Sequence, residues 1–300
     1  MTLSNRAKGL LYTLCGILVL IPDALLIRMV ALEGWELLFW RSILAGFVFG
    51  LVILFNCYRA RSFESLAIGW DGLLLSACMT ICCSTFIIAF QYTKAANILV
   101  IIAVAPMFSA QFDRLVFKCK LPGRTWFAMV ACLLGVILLV ADEIGTGSQL
   151  GNFFALGDAI FLGIAFSLMG QVKSESVIPA LGLGYTLPAV MAFPFITSLA
   201  VPAESIPQML IMGLIIVPVS FLLVSKGPKY IPAPEVALFI LLETVCGPLL
   251  VWIVLGVNPG RYALIGGIIV IGTLACHSAV ALMQERKRLG LEPYGNVSGS

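Results

Sequence analysis

Three charged side chains lie inside long apolar stretches of the sequence, where an ionisable group is costly and marks a functional candidate. Asp23, Arg41 and Asp158 each lie five to seven residues from the end of a stretch that is assigned below to the outer surface. At 1.5 Å per helical residue, this puts all three roughly 8–10 Å below that surface. An arginine between two acids lowers the burial cost of each, so we expect a cluster. It could be an outer gate or a carboxylate-binding site at Arg41, or equally a structural ion-pair network.

Glu243 is a fourth candidate and lies near the middle of a later apolar stretch, about eleven residues from its start. Apolar surroundings favour the protonated form of a carboxyl group. Glu243 is therefore our candidate for proton coupling, or for a partner of a substrate ammonium. The alternative is a neutral glutamate that hydrogen-bonds a neighbouring helix. Gly247 and Pro248 follow and can loosen the helix there.

A fifth feature is a row of polar side chains in the third apolar stretch. Ser76, Thr80, Ser84 and Gln91 are spaced by four, four and seven residues, which places them on one face of a helix. Such a face could line a water-filled cavity and contact substrate. It could equally form hydrogen bonds between helices.

The composition determines the setting of these residues. Of 300 residues, 61% are hydrophobic and 11% are charged, and the mean hydropathy is +1.07. These values exclude a soluble globule, a disordered chain, a coiled coil and a collagen-like fibre. They predict an all-α membrane protein. The predicted spans are 8–30, 35–56, 70–92, 95–117, 124–141, 153–171, 183–201, 206–226, 232–255 and 261–283.

The basic residues predict the orientation. With the N-terminus in the cytoplasm, 13 of the 18 Lys and Arg residues lie in inner loops and tails. Such a bias predicts that both termini are cytoplasmic, in a cell inner membrane or plasma membrane. The inner residues are Arg6, Lys8, Arg59, Arg61, Lys118, Lys120, Arg124, Lys173, Lys226, Lys229, Arg286, Lys287 and Arg288. The acids assigned to the outside are Glu33, Glu36, Asp142, Glu143 and Glu204.

The sequence contains a weak internal repeat. LPGRTWFAMVACLLG at 121–135 is matched by NPGRYALIGGIIVIG at 258–272, and FIIAFQYTK at 86–94 by FLLVSKGPK at 221–229. A repeat of five spans, an odd number, must be inverted in the membrane, which is typical of secondary carriers. The predicted units are a first repeat at 1–145, a second at 146–285 and a cytoplasmic tail at 286–300.

The chain resembles the EamA family of the drug/metabolite transporter superfamily over nearly its whole length. The resemblance is carried by WELLFWRSILAG (35–46), YTKAANILVIIAVAPMFSA (92–110), LGDAIFLGIAFS (156–167) and YIPAPEVALFILLETVCGPLLVW (230–252). It implies ten helices in two inverted five-helix repeats. It also implies export or exchange of small metabolites, most often amino acids; within the superfamily the chain is similar to bacterial exporters of amino acids, including aromatic ones.

The chain departs from this family at two places. Members usually carry Gly-Glu after the fourth and ninth spans, where this sequence has Lys118-Cys119 and Gly256-Val257. If those glutamates support gating or helix ends in relatives, coupling could differ in this protein.

Motifs for other functions are missing from the sequence. There is no Walker A motif, no cluster of His, Cys and acids at metal-ligand spacing, and one histidine in total, His277. We therefore expect no cofactor, no metal and no enzymatic activity, and read His277 as structural more readily than functional. The expected partners are a small, amino-acid-like metabolite and the lipid bilayer, not nucleic acid. The alternatives are an uncoupled facilitator or channel and, less favoured, a membrane-embedded enzyme.

Overall fold

The structure is a computed structural model that describes residues 4–32, 34–60, 68–141, 148–256 and 260–288. Within these ranges the chain forms helices and short connections, without a strand. Some positions used in the predictions above lie outside the described residues, namely Glu33, Arg61, Asp142, Glu143, 257–259 and 289–300.

The described residues form thirteen α-helices. They are α1 (Asn5–Leu20), α2 (Pro22–Met29), α3 (Gly34–Ala60), α4 (Gly69–Tyr92), α5 (Ala95–Ile102), α6 (Ala105–Leu115), α7 (Gly123–Leu139), α8 (Gln149–Gln171), α9 (Ser174–Ala192), α10 (Ile206–Leu210), α11 (Val217–Val224), α12 (Ala233–Leu255) and α13 (Gly260–Arg288). A π-helical turn, Ile211–Ile216, joins α10 to α11. Consecutive short helices form one rod in three places: α1–α2, α5–α6 and α10–α11.

Ten rods result, in the number and order that the sequence predicts. Nine in the described part of the chain are long and apolar enough to span a membrane, and α7 is a shorter apolar helix of 17 residues. Because successive rods alternate in direction, the start of α1 and the end of α13 lie at one face of the bundle. We call it the terminal face and the opposite side the far face.

The rods that contain two helices are interrupted next to proline. The α1–α2 rod is interrupted at Ile21, before Pro22, and the α5–α6 rod at Ala103 and Val104, before Pro106. Proline has no N–H to donate, and its ring clashes with the preceding turn. Neighbouring helices can satisfy the freed backbone groups inside a membrane.

The predicted seventh span, 183–201, is wrong by nine residues at its start, because α9 begins at Ser174. The polar run from Lys173 to Ser176 and the following Pro179 resemble a loop in sequence. In the structure the run forms the first turn, and Pro179 lies within the helix. At the other end of the chain, α13 continues to Arg288, into the segment predicted as a tail.

The helices pack around one large apolar core that runs through both halves, from Ile17 of α1 to Ile240 of α12. A smaller core joins α7 to α13 at the side of the bundle. There a Cβ on Gly266 would lie 2.4 Å from the carbonyl oxygen of Gly135, so glycine lets the two backbones touch. The first core contains the central cavity.

Candidate functional site

A cavity of about 110 Å³ lies in the middle of the bundle, lined by residues of α1 to α5, α8, α9, α11 and α12. A buried water needs about 10–15 Å³ measured in this way, so the cavity has room for a small solute or several waters. Four of the lining side chains are charged or ionisable candidates from the sequence: Asp23, Arg41, Asp158 and Glu243.

The first pair in the cavity wall is Asp23 with Arg41. Asp23 lies in the first turn of α2, directly after Pro22, where a helix N-terminus favours a carboxylate. Arg41 on α3 donates through Nη2 to Asp23 Oδ2 at 2.9 Å, and the side chains are only 6% and 2% exposed. The guanidinium carbon also lies 5.9 Å from the ring centre of Phe86. This is a buried, charge-assisted hydrogen bond.

The third group, Asp158 on α8, has a partner that sequence reasoning missed. The thiol of Cys82 on α4 donates to Asp158 Oδ1, with 2.9 Å between sulfur and oxygen. Both residues are buried and line the cavity. A thiol is a weak donor, and Cys82 lies in an apolar stretch with nothing to distinguish it from the neighbouring Cys83.

Glu243 on α12 borders the same cavity as the other three. It makes no hydrogen bond to another residue of the described ranges, and Thr244 and Gly247 of the same helix line the wall beside it. Counting residues along separate helices suggested different depths for Glu243 and the outer cluster. The crossing of the helices brings them to one space. The cavity therefore holds three carboxyl groups against one guanidinium.

Aromatic rings form much of the remaining wall: Phe86 and Phe90 of α4, Tyr185 of α9 and Phe221 of α11. Tyr185 is 1% exposed and is held between two other rings. Its ring stacks on Phe49 and meets Phe221 edge-on, with both centroid distances at 5.4 Å. Such pairs hold the wall rigid. No sequence motif marked Tyr185.

Three of the four polar residues of α4 make contacts within and between helices instead of lining the cavity. The hydroxyl of Ser76 donates to the carbonyls of Gly72 and Ala180, both at 2.9 Å. Thr80 donates to Ser76 and, at 3.5 Å, to Gly184. Ser84 donates to the Thr80 carbonyl at 2.8 Å. These contacts correspond to the helix-packing alternative, and they join α4 to α9.

Gln91, the fourth member of that row, lies in a second pocket of about 650 Å³ at the far face. We call this pocket the vestibule; it shares Phe90 with the cavity. With its amide oxygen turned toward α3, Gln91 accepts hydrogen bonds from the N–H groups of Gly34 at 3.0 Å and Trp35 at 3.3 Å. A Cβ on Gly34 would fall 0.8 Å from this end of the Gln91 amide, so this contact requires glycine.

The terminal face has a different group of charges, which we call the terminal cluster: Arg6, Glu235 and His277. Glu235, 1% exposed in the first turn of α12, forms an ion pair with Arg6 of α1. Nε2 of His277 on α13 lies 3.6 Å from the other carboxylate oxygen. Sequence reasoning named His277 without a partner and did not single out Glu235. The sequence signal that could have identified Glu235 is an acid directly after proline at the start of a helix.

Further contacts close the terminal face beside this cluster. Nζ of Lys226 lies 5.2 Å from the ring centre of Tyr12, which stacks on Tyr230 at 6.1 Å. Lys229 donates to the carbonyls of Gly170, at 3.3 Å, and Val172 at the end of α8. The terminal ends of α1, α8, α11 and α12 are thus joined to one another.

No group of three or more His, Cys, Asp or Glu residues that could hold a metal ion occurs within the described ranges. The cavity instead offers carboxyl groups, one paired guanidinium and aromatic rings. Together, the ten apolar rods and a charged internal cavity between them define a multi-pass membrane protein with a site for a small solute.

The comparisons with known proteins give the family. Two parts of the chain, residues 9–141 and 149–278, match the profile of the EamA-like transporter family, and the chain belongs to that family. The protein is therefore a membrane transporter of small solutes. Each matched part contains five rods, so the two repeats have opposite orientations in the membrane.

Among solved structures, one titled "Crystal structure of protein" is similar in fold. Its TM-score is 0.78 at 16% identity, over 92% of this chain and 99% of that chain. At this identity the likeness supports the fold alone. A search of curated proteins finds no match.

Proposed function

We propose that the protein is a secondary transporter that exports or exchanges amino-acid-like metabolites by alternating access. The observation that carries this proposal is the central cavity, where Asp158 and Glu243 face the space beside the Arg41–Asp23 pair. Carboxyl groups in a low-dielectric cavity can bind an ammonium group or a proton. Near the interface of inverted repeats, this is the usual position of a carrier's substrate site.

The two faces of the bundle support alternating access. The far face has the vestibule, which meets the cavity at Phe90. At the terminal face, Glu235 of the second repeat is buried against Arg6 of the first. A pocket at one face and a buried ion pair between the repeats at the other are what one half of an alternating-access cycle requires. The other half of the cycle then needs the terminal cluster to separate.

Glu243 is the coupling candidate, and Glu243→Gln tests its role because the amide mimics the protonated acid and preserves shape. If Glu243 carries the coupling proton, Glu243→Gln abolishes pH-driven accumulation but retains substrate exchange. If it holds the substrate ammonium, the variant loses affinity at every pH. Both activities are measured in proteoliposomes loaded with candidate amino acids, with and without a pH gradient. Wild-type flux that is indifferent to the gradient would indicate a facilitator, and unchanged flux in the variant would remove Glu243 from both roles.

The orientation is tested separately, because the proposal assigns the terminal face to the cytoplasm. Reporter fusions after Lys8 and Lys173 are expected to report the cytoplasm, and a fusion at Glu204 the outside. A cytoplasmic signal at Glu204 would contradict the predicted topology.

A further inference from the structure

The arginine in the cavity already has a carboxylate partner. Nη2 of Arg41 donates to Asp23 at 2.9 Å, and its Nε is buried without a hydrogen-bond partner among the described residues. Its side chain is 6% exposed, and the guanidinium lies over Phe86. A substrate carboxylate at the remaining N–H groups of Arg41 would add a fourth carboxyl group to a cavity that holds three against one guanidinium, which is electrostatically costly. The charge balance of the cavity therefore disfavours Arg41 as a carboxylate receptor.

The remaining charged groups of the cavity are two acids, Asp158 and Glu243, which we call the cavity acids. Both line the cavity, on α8 and α12 of the second repeat. Asp158 accepts one hydrogen bond, from the weak thiol donor of Cys82. Among the described residues that line the cavity, two carboxyl groups thus remain as acceptors for a cation, whereas Arg41 already has a carboxylate partner.

The rest of the cavity wall suits an apolar body. Phe86, Phe90, Tyr185 and Phe221 contribute rings, and aliphatic side chains such as Leu162 and Ile240 fill the space between them. Aromatic faces also attract a cation. An ammonium group on an aromatic or branched aliphatic body matches both the charge and the lining of this site.

We infer that the site recognises its substrate through the ammonium group and does not bind the carboxylate. This inference rests on the proposed function, since it concerns the substrate of the same cavity. It extends the substrate class from amino acids to the primary amines that share their side chains. An amine without a carboxylate is then bound at least as tightly as the amino acid, because no carboxylate has to be desolvated against an apolar wall.

Three probes of nearly the same size test the ammonium and carboxylate groups of the substrate separately. They are L-phenylalanine, with both groups, 2-phenylethylamine, with the ammonium alone, and 3-phenylpropionate, with the carboxylate alone. Binding to the purified protein is measured by thermal shift and by counterflow in proteoliposomes. The amine and the amino acid are expected to bind and exchange, with the amine equal or stronger, while the carboxylate neither binds nor competes. A parallel aliphatic series, with L-leucine, 3-methylbutylamine and 4-methylpentanoate, tests the branched body.

The variants Asp158→Asn and Glu243→Gln identify the receptor of the ammonium group. At least one of them should lower amine affinity by about tenfold or more, as expected for a lost hydrogen bond to a charged group. Glu175→Gln is the matched control, because Glu175 is an exposed acid in the first turn of α9 at the terminal face and does not line the cavity. Its amine affinity should equal the wild-type value.

The outcomes separate this inference from the proposed function. Exchange of phenylalanine with binding of phenylpropionate, but not of the amine, would overturn the inference and leave an amino-acid transporter. Amine affinity that is unchanged in both cavity variants would also overturn it. Failure of all probes in both series to bind or exchange would overturn the inference and the proposed amino-acid substrate together.

Discussion

Two ion pairs of this protein are built alike but lie at different depths. In each, an acid directly follows proline in the first turn of a helix and contacts an arginine of another helix: Asp23 with Arg41, and Glu235 with Arg6. Both acids are almost fully buried. A helix N-terminus stabilises the carboxylate in both places, so the local chemistry is the same.

The difference lies in what each pair joins. Asp23 and Arg41 both belong to the first repeat, and their pair borders the central cavity. Arg6 lies in the helix that begins the first repeat and Glu235 in the second, and none of the terminal cluster lines the cavity. A pair within one repeat can stay intact when the repeats move, whereas a pair between repeats has to break. The first pair is therefore suited to maintaining the site, and the second to holding one face closed.

The largest effect is expected from Arg41→Ala. Removing the arginine leaves Asp23 buried without its counter-charge, which costs about 3–5 kcal/mol of stability. Thermal unfolding of the purified protein should show this loss, and transport should fall with it. Arg41→Lys keeps the charge without the planar fork and should recover most of the stability. Full stability and transport in Arg41→Ala would show that the pair does not maintain the site.

The next effect concerns closure of the terminal face. Glu235→Gln removes one charge of the pair between repeats, and a loss of about 1.4 kcal/mol would raise the population open at that face about tenfold. The cavity thiols Cys82 and Cys83 report this opening, in a protein whose other cysteines are replaced. A membrane-impermeant thiol reagent applied at the terminal face should label them about tenfold faster.

Two variants control that measurement. Exchanging the charges, with Arg6→Glu and Glu235→Arg together, should slow the labelling again if the attraction between repeats is what matters. Glu175→Gln, at an exposed acid in the first turn of α9 on the same face, should leave it unchanged. Equal labelling rates in the wild type and Glu235→Gln would contradict a role of the terminal cluster in closure.

A third prediction tests whether the Arg41–Asp23 pair is the reason why the site does not bind the substrate carboxylate. Asp23→Asn removes the counter-charge and leaves Arg41 available to an anion. The affinity for 3-phenylpropionate, relative to 2-phenylethylamine, should rise by about tenfold, as for a new charge-assisted hydrogen bond. Competition assays in detergent measure this ratio for both proteins. An unchanged ratio in a folded Asp23→Asn protein would mean that Asp23 does not set the selectivity.

Much of this arrangement follows from the sequence, and the rest follows from packing. Hydropathy predicts ten rods, because the length and apolar character of each span are properties of the local sequence. The meeting of Asp23, Arg41 and Asp158 at one cavity agrees with their similar distances from helix ends. Glu243 lies at the same cavity because of how the helices cross, and no local sequence pattern predicts that crossing. Glu235 escaped notice because its partner, Arg6, is more than two hundred positions away.

The smallest effect is expected at Cys82. Its uncharged thiol positions the Asp158 carboxyl group but adds no charge to the cavity. Cys82→Ala removes the donor to Asp158 Oδ1, and this hydrogen bond, from a weak thiol donor, contributes about 0.5–1.5 kcal/mol. We expect amine affinity to change by about two- to tenfold, with little change in stability. Cys82→Ser keeps a donor and should restore the wild-type value, while Cys83→Ala, at the neighbouring cavity position, serves as the matched control. If Ala and Ser at position 82 behave alike, the thiol fills space and does not orient the carboxylate.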